Sequence, residues 1–556
     1  MSDNRKISII ANFSGDTKED ELLHSLSMLK VPNGYKCEVI AIRAAASRIA
    51  AYNEGCRNNN AKYKVYIDGR VRILADDFLC KAIEIFQRNE KIAVIGVSGN
   101  TVIPTNGICV TGCRRIGGYL SANGESFSEV ESEYIVSAAV DGFMFATQYD
   151  LSWNNNVFEN DIFAITAQCI EYRKQGYMLA VLNQSEPCIS LISTEFLIDE
   201  SERNKFLDMY SDFVYPKVLI GITTYNRPEY LQVALKSVMT QTYRNLEIVI
   251  TDDSTNDETA RIMPEYLDKD KRIKYYKQEN FTGLDNFTWL IRYIKSSPIT
   301  YINWLMDDDM LYPTKIEKMM TYYLEYDNIA LVTSYRNKID ADGNLLQSEE
   351  PRLFEQDVII PGRDVGCTML GNCLNFVGEF STTLLDKNFL REDVLWGWID
   401  SIDWSLGLVD VSTWLQLCTK GDMAYIAEPL SAFRKHENQG QQSEQTIRAC
   451  MLHWCRLIKF AIDNNAFLVA DDEKRGALAQ WGKMFHHYLD AKSSVINTDK
   501  EYENIIYNLY YKFMGELDMA NVQSMRWTGE QIEHAALPIK LKSIKGDGMS
   551  GQAANA

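Results

Sequence analysis

Residues 301–313 read YINWLMDDDMLYP, and this stretch decides the class of fold. Its first six residues are mostly apolar and predict a buried strand, which three adjacent carboxylates, Asp307, Asp308 and Asp309, follow directly. Like charges this close repel one another unless a cation or a ligand lies among them. Pro313 suits the first turn of a helix, so the acids are expected at the carboxyl end of a strand, where open α/β sheets bind ligands. The plainer alternative is a solvated acidic turn.

Strands and helices alternate on both sides of this stretch. Because strands that alternate with helices form mainly parallel sheets, the pattern predicts an α/β domain around residues 301–313. The second strand runs into Thr251-Asp252-Asp253-Ser254, which places another acidic pair at the same edge of the sheet. The strand-like segments of this domain are 218–222, 246–250, 273–276 and 301–306.

The first 200 residues repeat this style more loosely and predict a second α/β domain. Beyond residue 443 the strand signals stop and apolar residues recur at helical spacing, which predicts a helical module. The predicted organisation is an N-terminal α/β domain at 1–200, a linker at 201–215, an α/β domain at 216–440, helices at 441–540 and a disordered tail at 541–556.

Composition excludes several classes of function. The chain has 556 residues, enough for about three domains, and a formal net charge of −19. That charge would repel nucleic acid and anionic membranes over most of the surface. The sequence shows neither a signal-peptide core nor an apolar run that could cross a bilayer, which predicts a cytoplasmic protein. The twelve cysteines form no CxxC pair, so they predict reduced thiols rather than structural zinc.

Four ordered motifs resemble the family 2 glycosyltransferases of the GT-A fold. The resemblance covers about residues 216–437. The ordered set of motifs is specific to the family, although each motif alone would be weak evidence. It implies two GT-A-like (Rossmann-like) domains in tandem, followed by an α-helical C-terminal module. The motifs are Ile222-Thr223-Thr224-Tyr225-Asn226-Arg227-Pro228, Gln241-Thr242-Tyr243, Thr251-Asp252-Asp253-Ser254 and Asp307-Asp308-Asp309.

The resemblance implies a site for a nucleotide-diphosphate sugar. Thr223, Tyr225 and Asp253 would hold the base, with Asp252 close by and Asp307 near the ribose or the metal. A tyrosine face can stack on uracil, and a carboxylate can accept its imino proton. Taken alone, the two aspartates after the second strand would favour helix capping, and the accompanying motifs reverse that interpretation.

The acidic triplet resembles the DXD-type motif of the family, which implies a bound Mn²⁺ or Mg²⁺. Asp308 is the best candidate for direct coordination, with Asp309 as a further ligand or as a residue that orients the others. Further along, Phe433-Arg434-Lys435-His436-Glu437-Asn438 resembles the closing segment of the family, which implies that His436 approaches the metal. A cation there would neutralise the charge that develops on the departing diphosphate.

An inverting transfer needs a base that takes the proton from the acceptor hydroxyl. Asp410-Val411-Ser412-Thr413-Trp414-Leu415 fits the helix start at which the family places this base, so Asp410 is the candidate; an ordinary N-cap is the alternative. Asp400 and Asp403 are fallback candidates on the adjacent loop. For the acceptor, the sequence offers Glu379 and two indoles, Trp396 and Trp398, which could stack on sugars or fill the core.

The N-terminal domain resembles a distinct branch of the same superfamily, but it departs from the pattern of that branch. Arg70 stands where a metal-binding acid is expected, and a guanidinium cannot bind a cation. Ile165 stands in place of a base and Ser190 in place of a metal-site histidine. We therefore predict a degenerate domain. The alternative is that Asp68 or Asp161 acts in a shifted register.

These patterns predict a metal-dependent inverting glycosyltransferase that moves a sugar, most simply from a UDP-sugar, to a hydroxyl of a glycan or a glycoprotein. The N-terminal or helical module could hold a homo-oligomer together. The rivals are a two-site glycan polymerase, a non-catalytic assembly scaffold and a nucleotidyltransferase. The last would need a glycine-rich basic phosphate loop, which the segment 223–227 lacks.

Overall fold

The computed structural model divides the chain into two compact units, one ending at Tyr215 and the other beginning at Pro216. Each unit contains its own sheet and hydrophobic core. The structure describes residues 3–13, 19–43, 45–57, 59–121, 124–153, 157–158, 161–193, 198–278, 285–347, 352–393, 397–399, 404, 407–436, 444–491 and 537–538.

The N-terminal unit contains a mixed sheet in the strand order β2-β1-β3-β11-β5-β12-β9, beside a smaller sheet in the order β10-β6-β7-β13-β4, to which β8 is added through β7. The strands are β1 (Asp3–Asn12), β2 (Lys36–Ile42), β3 (Ala61–Asp68), β4 (Val71–Ile73), β5 (Ile92–Gly96), β6 (Ser98–Asn100), β7 (Arg115–Ser121), β8 (Gly124–Ser128), β9 (Val130–Ser137), β10 (Ala139–Val140), β11 (Met144–Thr147), β12 (Met178–Gln184) and β13 (Ile189–Leu191). The helices are α1 (Glu19–Leu26), α2 (Arg48–Cys56), α3 (Phe78–Arg88), α4 (Asp161–Lys174) and α5 (Glu200–Val214).

The segment 201–215, predicted as a linker, forms most of α5 and belongs to the N-terminal unit. Asp199 caps this helix by accepting hydrogen bonds from the backbone N–H groups of Ser201 and Glu202. Phe206 is buried and its ring lies 5.7 Å from that of Phe163 on α4. Charged residues on the outer face of α5 make the segment resemble a linker, although its buried face is apolar.

The second unit contains one mixed sheet in the order β16-β15-β14-β17-β21-β19-β22-β20-β23, with β18 paired to β22. Its strands are β14 (Val218–Thr224), β15 (Leu246–Asp252), β16 (Ile273–Lys277), β17 (Tyr301–Met306), β18 (Met310–Leu311), β19 (Ile329–Ile339), β20 (Val358–Ile360), β21 (Leu384–Asp386), β22 (Asp422–Arg434) and β23 (Leu537–Pro538). Its helices are α6 (Pro228–Met239), α7 (Glu258–Lys269), α8 (Asp285–Ser296), α9 (Lys315–Glu325), α10 (Gly362–Asn372), α11 (Val409–Cys418), α12 (Glu444–Asp463) and α13 (Asp471–Ala491).

Parallel pairing in the first half of this sheet brings the acidic segments to one edge. β14 pairs in parallel with both β15 and β17, so that Thr224 lies opposite Asp252 and Thr223 lies opposite Met306. β14 is buried along its whole length, as expected for a strand covered on both faces. The other half of the sheet is mixed, because the short strand β21 runs antiparallel to β17 and β19.

The helices α12 and α13 pack against the second unit and share its core. Trp454 and Trp481 are buried in the same apolar cluster as Trp414 of α11. The indole N–H of Trp481 donates to the backbone carbonyl of Met451 at 2.9 Å, which satisfies its only polar group. The predicted fold class, two α/β domains followed by helices, is confirmed. Residues 492–536 of the predicted helical module and the predicted tail at 541–556 lie outside the described residues.

Among the residues that the structure describes, no helix combines the length and the apolar character that a membrane span requires.

Candidate active site

A cavity of about 1060 Å³ opens at the edge of the second sheet where the parallel strands β14, β15 and β17 end. It is bounded by loops that follow these strands, by the start of α11 and by α12. The sequence-predicted residues Thr223, Tyr225, Asp253, Asp307, Asp308, Asp309, Glu379 and Asp410 all line it. Carboxylates far apart in the sequence therefore face one space.

Asp307 is the first acid after β17 and lies at the base of the cavity. Its carboxylate accepts a hydrogen bond from the Thr224 hydroxyl at 2.9 Å and lies 3.4 Å from the Arg227 guanidinium. Burial, reinforced by the charge of Asp308, raises the pKa of Asp307 to about 6. The acids are therefore crowded, and the Arg227 guanidinium offsets part of their charge.

Asp308 contacts two basic side chains through a single oxygen. Its Oδ2 lies 3.0 Å from an Arg227 guanidinium nitrogen and 2.9 Å from His436 Nε2. The His436 ring in turn lies 5.3 Å from that of Tyr230 on α6. The structure thus brings together Asp308 and His436, two of the three residues that the sequence proposed as metal ligands.

Asp309 connects the triplet to the end of β22. Its Oδ1 accepts a hydrogen bond from the backbone N–H of Arg434 at 3.0 Å, and the Arg434 guanidinium donates to the Asp308 carbonyl at 2.7 Å. Burial, together with the charges of Glu379 and Asp308, raises the pKa of Asp309 well above its ordinary value. This carboxylate therefore holds β22 against the triplet.

The two acids after β15 have different surroundings. Asp253 lines the cavity and accepts a hydrogen bond at 3.0 Å from Asn286, a buried residue at the start of α8. Burial raises the pKa of Asp253. Asp252 does not line the cavity: it is fully buried, and its oxygens accept hydrogen bonds from the Ser254 backbone N–H at 2.8 Å and the Tyr275 hydroxyl at 2.6 Å. Asp252 therefore shapes the turn that presents Asp253.

The first turn presents one buried and one exposed side chain to the cavity. Thr223 is buried, whereas Tyr225 is 52% exposed. An exposed aromatic ring at the mouth of a cavity can stack on a flat heterocycle. Between this ring and the helix α6, Asn226 adopts a left-handed conformation with φ 51° and donates its backbone N–H to the Ser254 hydroxyl at 2.7 Å.

Asp410 faces the cavity from the first turn of α11. It is not the N-cap, which is Leu408 in a left-handed conformation with φ 57°. The side-chain amide of Asn375 donates to Asp410 Oδ2 at 2.8 Å, and burial raises the pKa of Asp410 to about 6. The Val411 backbone N–H donates to the other oxygen, Oδ1, at 2.8 Å. A buried carboxylate with a raised pKa and a position fixed by hydrogen bonds is suited to accepting a proton.

Asn375 is held in turn by the tight loop before Glu379. Its side-chain amide bonds both the carbonyl and the backbone N–H of Gly378, each at 3.1 Å. Gly378 has φ 105°, and a Cβ at this position would lie 2.7 Å from the Thr382 hydroxyl, so glycine is required. Trp414 donates its indole N–H to the same carbonyl at 3.0 Å.

Glu379 lies in the cavity wall but is bound to Arg336, whose Nε is 2.9 Å from its carboxylate. Burial raises the pKa of Glu379. Lys315 is also fully buried and donates to the Thr382 carbonyl at 2.7 Å; burial lowers its pKa to about 7. Glu379 is therefore part of a network of charged side chains beside the acidic triplet. Contact of Glu379 with an acceptor stays a prediction.

One of the two indoles proposed for the acceptor, Trp398, is not exposed. Trp398 is only 5% exposed, and its ring lies 4.9 Å from Phe460 and 5.3 Å from Phe467 in edge-on contacts. It therefore fills the core, which was the alternative. Trp396, Asp400 and Asp403 lie outside the described residues.

Sequence reasoning missed three kinds of site residue. Asn286 and Asn375, which hold Asp253 and Asp410, are single amides with no surrounding motif. Thr446 and Cys450 on α12 line the cavity, although the helix belongs to the predicted C-terminal module. Arg227 was visible in the first motif but received no role. Only the three-dimensional fold reveals these contributions.

The corresponding edge of the N-terminal unit has a different charge pattern. Asp68, at the end of β3, lies 2.9 Å from the Arg48 guanidinium and 2.8 Å from the Arg70 guanidinium. Burial opposes ionisation of Asp68, but the two arginines outweigh it and lower its pKa to about 2. Ile165 is buried on α4 and Ser190 lies on β13. The Asp68 carboxylate is thus bound by two arginines.

The donor set around the acidic triplet fits a divalent cation bound jointly with a substrate. Within the described part of the chain, no group of three or more His, Cys, Asp and Glu side chains is arranged to hold a metal. Asp308 and His436 nevertheless lie in direct contact, and a cation of the Mg²⁺ or Mn²⁺ type is commonly held by one or two protein ligands together with phosphate oxygens and water.

Two family models match the chain, one for each α/β unit. Residues 8–210 match the model described as glycosyltransferase like family. Residues 219–376 match the model of glycosyl transferase family 2. Over residues 219–376 the second unit is thus similar to the family 2 glycosyltransferases. The resemblance seen in the sequence is thereby confirmed, including the glycosyltransferase-like domain that precedes it. The matched part of the family 2 domain contains Asp253 and the acidic triplet and ends before Asp410 and His436.

Part of this chain is similar to glycosyltransferases of several bacteria. An uncharacterized glycosyltransferase of Rickettsia conorii is 30% identical over 224 residues, which are 39% of this chain and 33% of the relative. The GalNAc(5)-diNAcBac-PP-undecaprenol β-1,3-glucosyltransferase of Campylobacter jejuni is 26% identical over 188 residues, 32% of this chain and 56% of the relative. This chain thus spans about a third of the length of the first relative. Among solved structures, residues 1–349 of S. aureus TarS in complex with UDP cover 53% of this chain and 80% of theirs, at 13% identity and a TM-score of 0.39.

Proposed function

We propose that the chain is a metal-dependent, inverting glycosyltransferase that uses a nucleotide-diphosphate sugar, most simply a UDP-sugar. The observation that carries the proposal is that Asp253, Asp308 and Asp410 line one cavity of the second unit, the unit that contains the match to glycosyl transferase family 2. Each has a position suited to a different part of the reaction, namely base recognition, the diphosphate and the acceptor hydroxyl. The proposed acceptor is a hydroxyl of a growing glycan or of a protein.

The donor would lie across the ends of the parallel strands. Tyr225 would stack on the base, and Asp253, oriented by Asn286, would accept its imino proton. Asp308 and His436 would hold the divalent cation that family 2 glycosyltransferases generally use. When bound, that cation offsets the negative charge that develops on the leaving diphosphate. Arg227 and Arg434 supply further positive charge beside the triplet.

Asp410 would act as the general base. The acceptor oxygen forms a bond to the anomeric carbon while the bond from that carbon to the diphosphate oxygen breaks, and the hydroxyl proton passes to the Asp410 carboxylate. The nucleoside diphosphate leaves with the bonding electron pair. Attack from the face opposite the leaving group inverts the anomeric carbon. Asn375 positions Asp410 through its hydrogen bond of 2.8 Å.

A panel of nucleotide sugars tests this function. The full chain is incubated with each donor in Mn²⁺ or in EDTA, and free UDP or GDP is measured. We expect one donor class to be consumed only with the metal. If no donor is consumed, and calorimetry with UDP shows no binding in either condition, the scaffold alternative is correct and the proposal is wrong.

The pH dependence of kcat/KM should report Asp410. Burial raises its pKa to about 6, and a base acts only when ionised, so kcat/KM should fall about tenfold per pH unit below pH 6 and level off above it. Asn375→Ala should move this limb to higher pH, because the lost hydrogen bond no longer stabilises the ionised carboxylate. Asn372→Ala, whose amide donates only to the Thr368 carbonyl, is the control that should leave the limb in place. A limb that is identical in all three proteins would contradict the role of Asp410.

We further propose that the N-terminal domain transfers no sugar. The ion pairs of Asp68 with Arg48 and Arg70 support this proposal, because the carboxylate at the end of β3 is then not available to a cation. The domain would instead serve the acceptor or an oligomer interface. The two-site polymerase requires a second working site, and the side chain of its other candidate acid, Asp161, lies outside the described residues.

Asp68→Asn should destabilise the protein without lowering transfer per folded molecule by more than about twofold. Removing one partner of a buried ion pair costs about 3 kcal/mol, because the arginines are left uncompensated. Because the pKa of Asp68 is lowered in the folded protein, its ionised carboxylate stabilises the fold above pH about 4 and no longer does so below about 2. The substitution removes this contribution. Thermal unfolding at pH 7 measures it, with Asp76→Asn at an exposed surface pair as the control. A large loss of transfer in a folded Asp68→Asn protein would favour the polymerase.

A further inference from the structure

Arg227 lies at the charged end of the cavity, beside the acidic triplet. It directly precedes α6, and its guanidinium lies 3.0 Å from Asp308 Oδ2 and 3.4 Å from Asp307 Oδ1. The side chain is 31% exposed and lines the cavity. Its positive charge therefore neutralises part of the triplet.

Asp308 is also the carboxylate that would hold the cation. Asp308 Oδ2 is already shared between Arg227 and His436, the latter at 2.9 Å. A divalent cation and a guanidinium both carry positive charge, so they cannot occupy one oxygen together without strong repulsion. Binding of the cation to Asp308 therefore requires Arg227 to move.

We propose that Arg227 is an internal counter-ion which competes with the divalent cation for Asp308 and transfers to the donor diphosphate when cation and donor bind. The inference rests on the proposed function, since it takes the diphosphate of that donor as the new partner of Arg227. A planar guanidinium can bond two phosphate oxygens at once, which makes the diphosphate a good partner. The cation alone should therefore bind weakly, and donor and cation should strengthen each other.

The N-terminal unit also pairs an aspartate with arginine side chains, which are more deeply buried there. There, Asp68 is bound by two arginines, and their side chains are only 7% and 19% exposed for Arg48 and Arg70. Arg227 is more exposed and faces an open cavity. The arginine of the second unit is consequently placed to exchange partners.

Titration of Mn²⁺ into the full chain, with free Mn²⁺ followed by electron paramagnetic resonance, tests the inference without any measurement of activity. Arg227→Gln should bind Mn²⁺ about tenfold more tightly than the native protein in the absence of nucleotide. Arg227→Lys, which retains the charge, should remain within about threefold of the native affinity. The matched control, Arg261→Gln on the exposed face of α7, should leave it unchanged. Circular dichroism verifies folding, and Arg227→Met replaces the glutamine variant if that variant does not fold.

A second arm adds UDP. Saturating UDP should tighten Mn²⁺ binding more in the native protein than in Arg227→Gln, because only the native protein must first release Asp308 from the arginine. Unchanged or weaker Mn²⁺ binding in Arg227→Gln, or equal UDP effects in both proteins, would overturn the inference. Failure of the proposed function looks different, since no nucleotide sugar would be consumed whatever the Mn²⁺ affinity of the variants.

Discussion

Asp410→Asn is expected to lower the turnover number for sugar transfer by about 10²–10⁴-fold, the usual contribution of a general base. Asparagine keeps the size of the side chain and an oxygen that can accept the hydrogen bond of Asn375, but it cannot accept the acceptor proton. The Mn²⁺-linked affinity for UDP should stay within about twofold, because Asp410 lies on α11 and makes no contact with the triplet in the described structure. Steady-state transfer and calorimetry measure the two effects.

The stability of this variant separates loss of chemistry from loss of structure. Burial raises the pKa of Asp410, so ionisation costs the native state free energy above pH about 6, and asparagine removes that cost. The unfolding temperature at pH 8 should therefore not fall. Asp364→Asn, which alters an acid in the first turn of the neighbouring helix α10 outside the cavity, should transfer sugar normally. Transfer by Asp410→Asn within about threefold of the native rate would refute the assignment of the base.

The sequence predicted those parts of the site that follow from strand order. The segments 218–222, 246–250 and 301–306 have the apolar content of buried strands, and parallel strands joined by helices must end at one edge. For this reason Asp253 and Asp308 could be placed together before any coordinates existed. Asp410 depended on the resemblance to a family, since a single acid at a helix start is more often a cap.

Contacts between distant segments could not be predicted in the same way. The residues next to Trp398 in the sequence do not indicate whether its side chain is buried. It is buried because α12 and the turn before α13 pack against its ring. The segment 201–215 is rich in charge, yet its apolar residues face the N-terminal core when the segment is helical. The partners of Asp252 lie on β16 and in its own turn, so its exclusion from the cavity depends on a register between strands.

Asp308→Asn is expected to abolish the effect of Mn²⁺ on UDP binding and to lower transfer by about 10²–10³-fold. The carboxylate is the best-placed oxygen ligand for the cation, and an amide oxygen lacks the charge that attracts it. A bound cation stabilises the leaving diphosphate by several kcal/mol, and each 1.36 kcal/mol corresponds to a factor of ten in rate. Calorimetric titration of UDP with and without Mn²⁺, together with a transfer assay, measures both effects.

The same variant should behave differently in the absence of metal. Without the charge of Asp308, Arg227 loses its nearer partner and becomes more available to the diphosphate, so metal-free UDP binding should be unchanged or tighter. Asp257→Asn, an exposed acid at the start of α7, is the control and should retain the full Mn²⁺ effect. If the amide variant still showed the native Mn²⁺ effect on UDP affinity, the cation would have to be held by other residues.

The transfer assay of Asp308→Asn also decides how many sites the chain contains. With a degenerate N-terminal domain, loss of the one cation site should remove transfer of every nucleotide sugar that the native protein uses. A polymerase with a second working site would continue to transfer one of two sugars, at a rate close to native. Because Asp68 is already neutralised by two arginines, we expect no residual transfer of a second sugar. Such transfer would show that the N-terminal edge binds a donor without the acid–metal pairing proposed for the second domain.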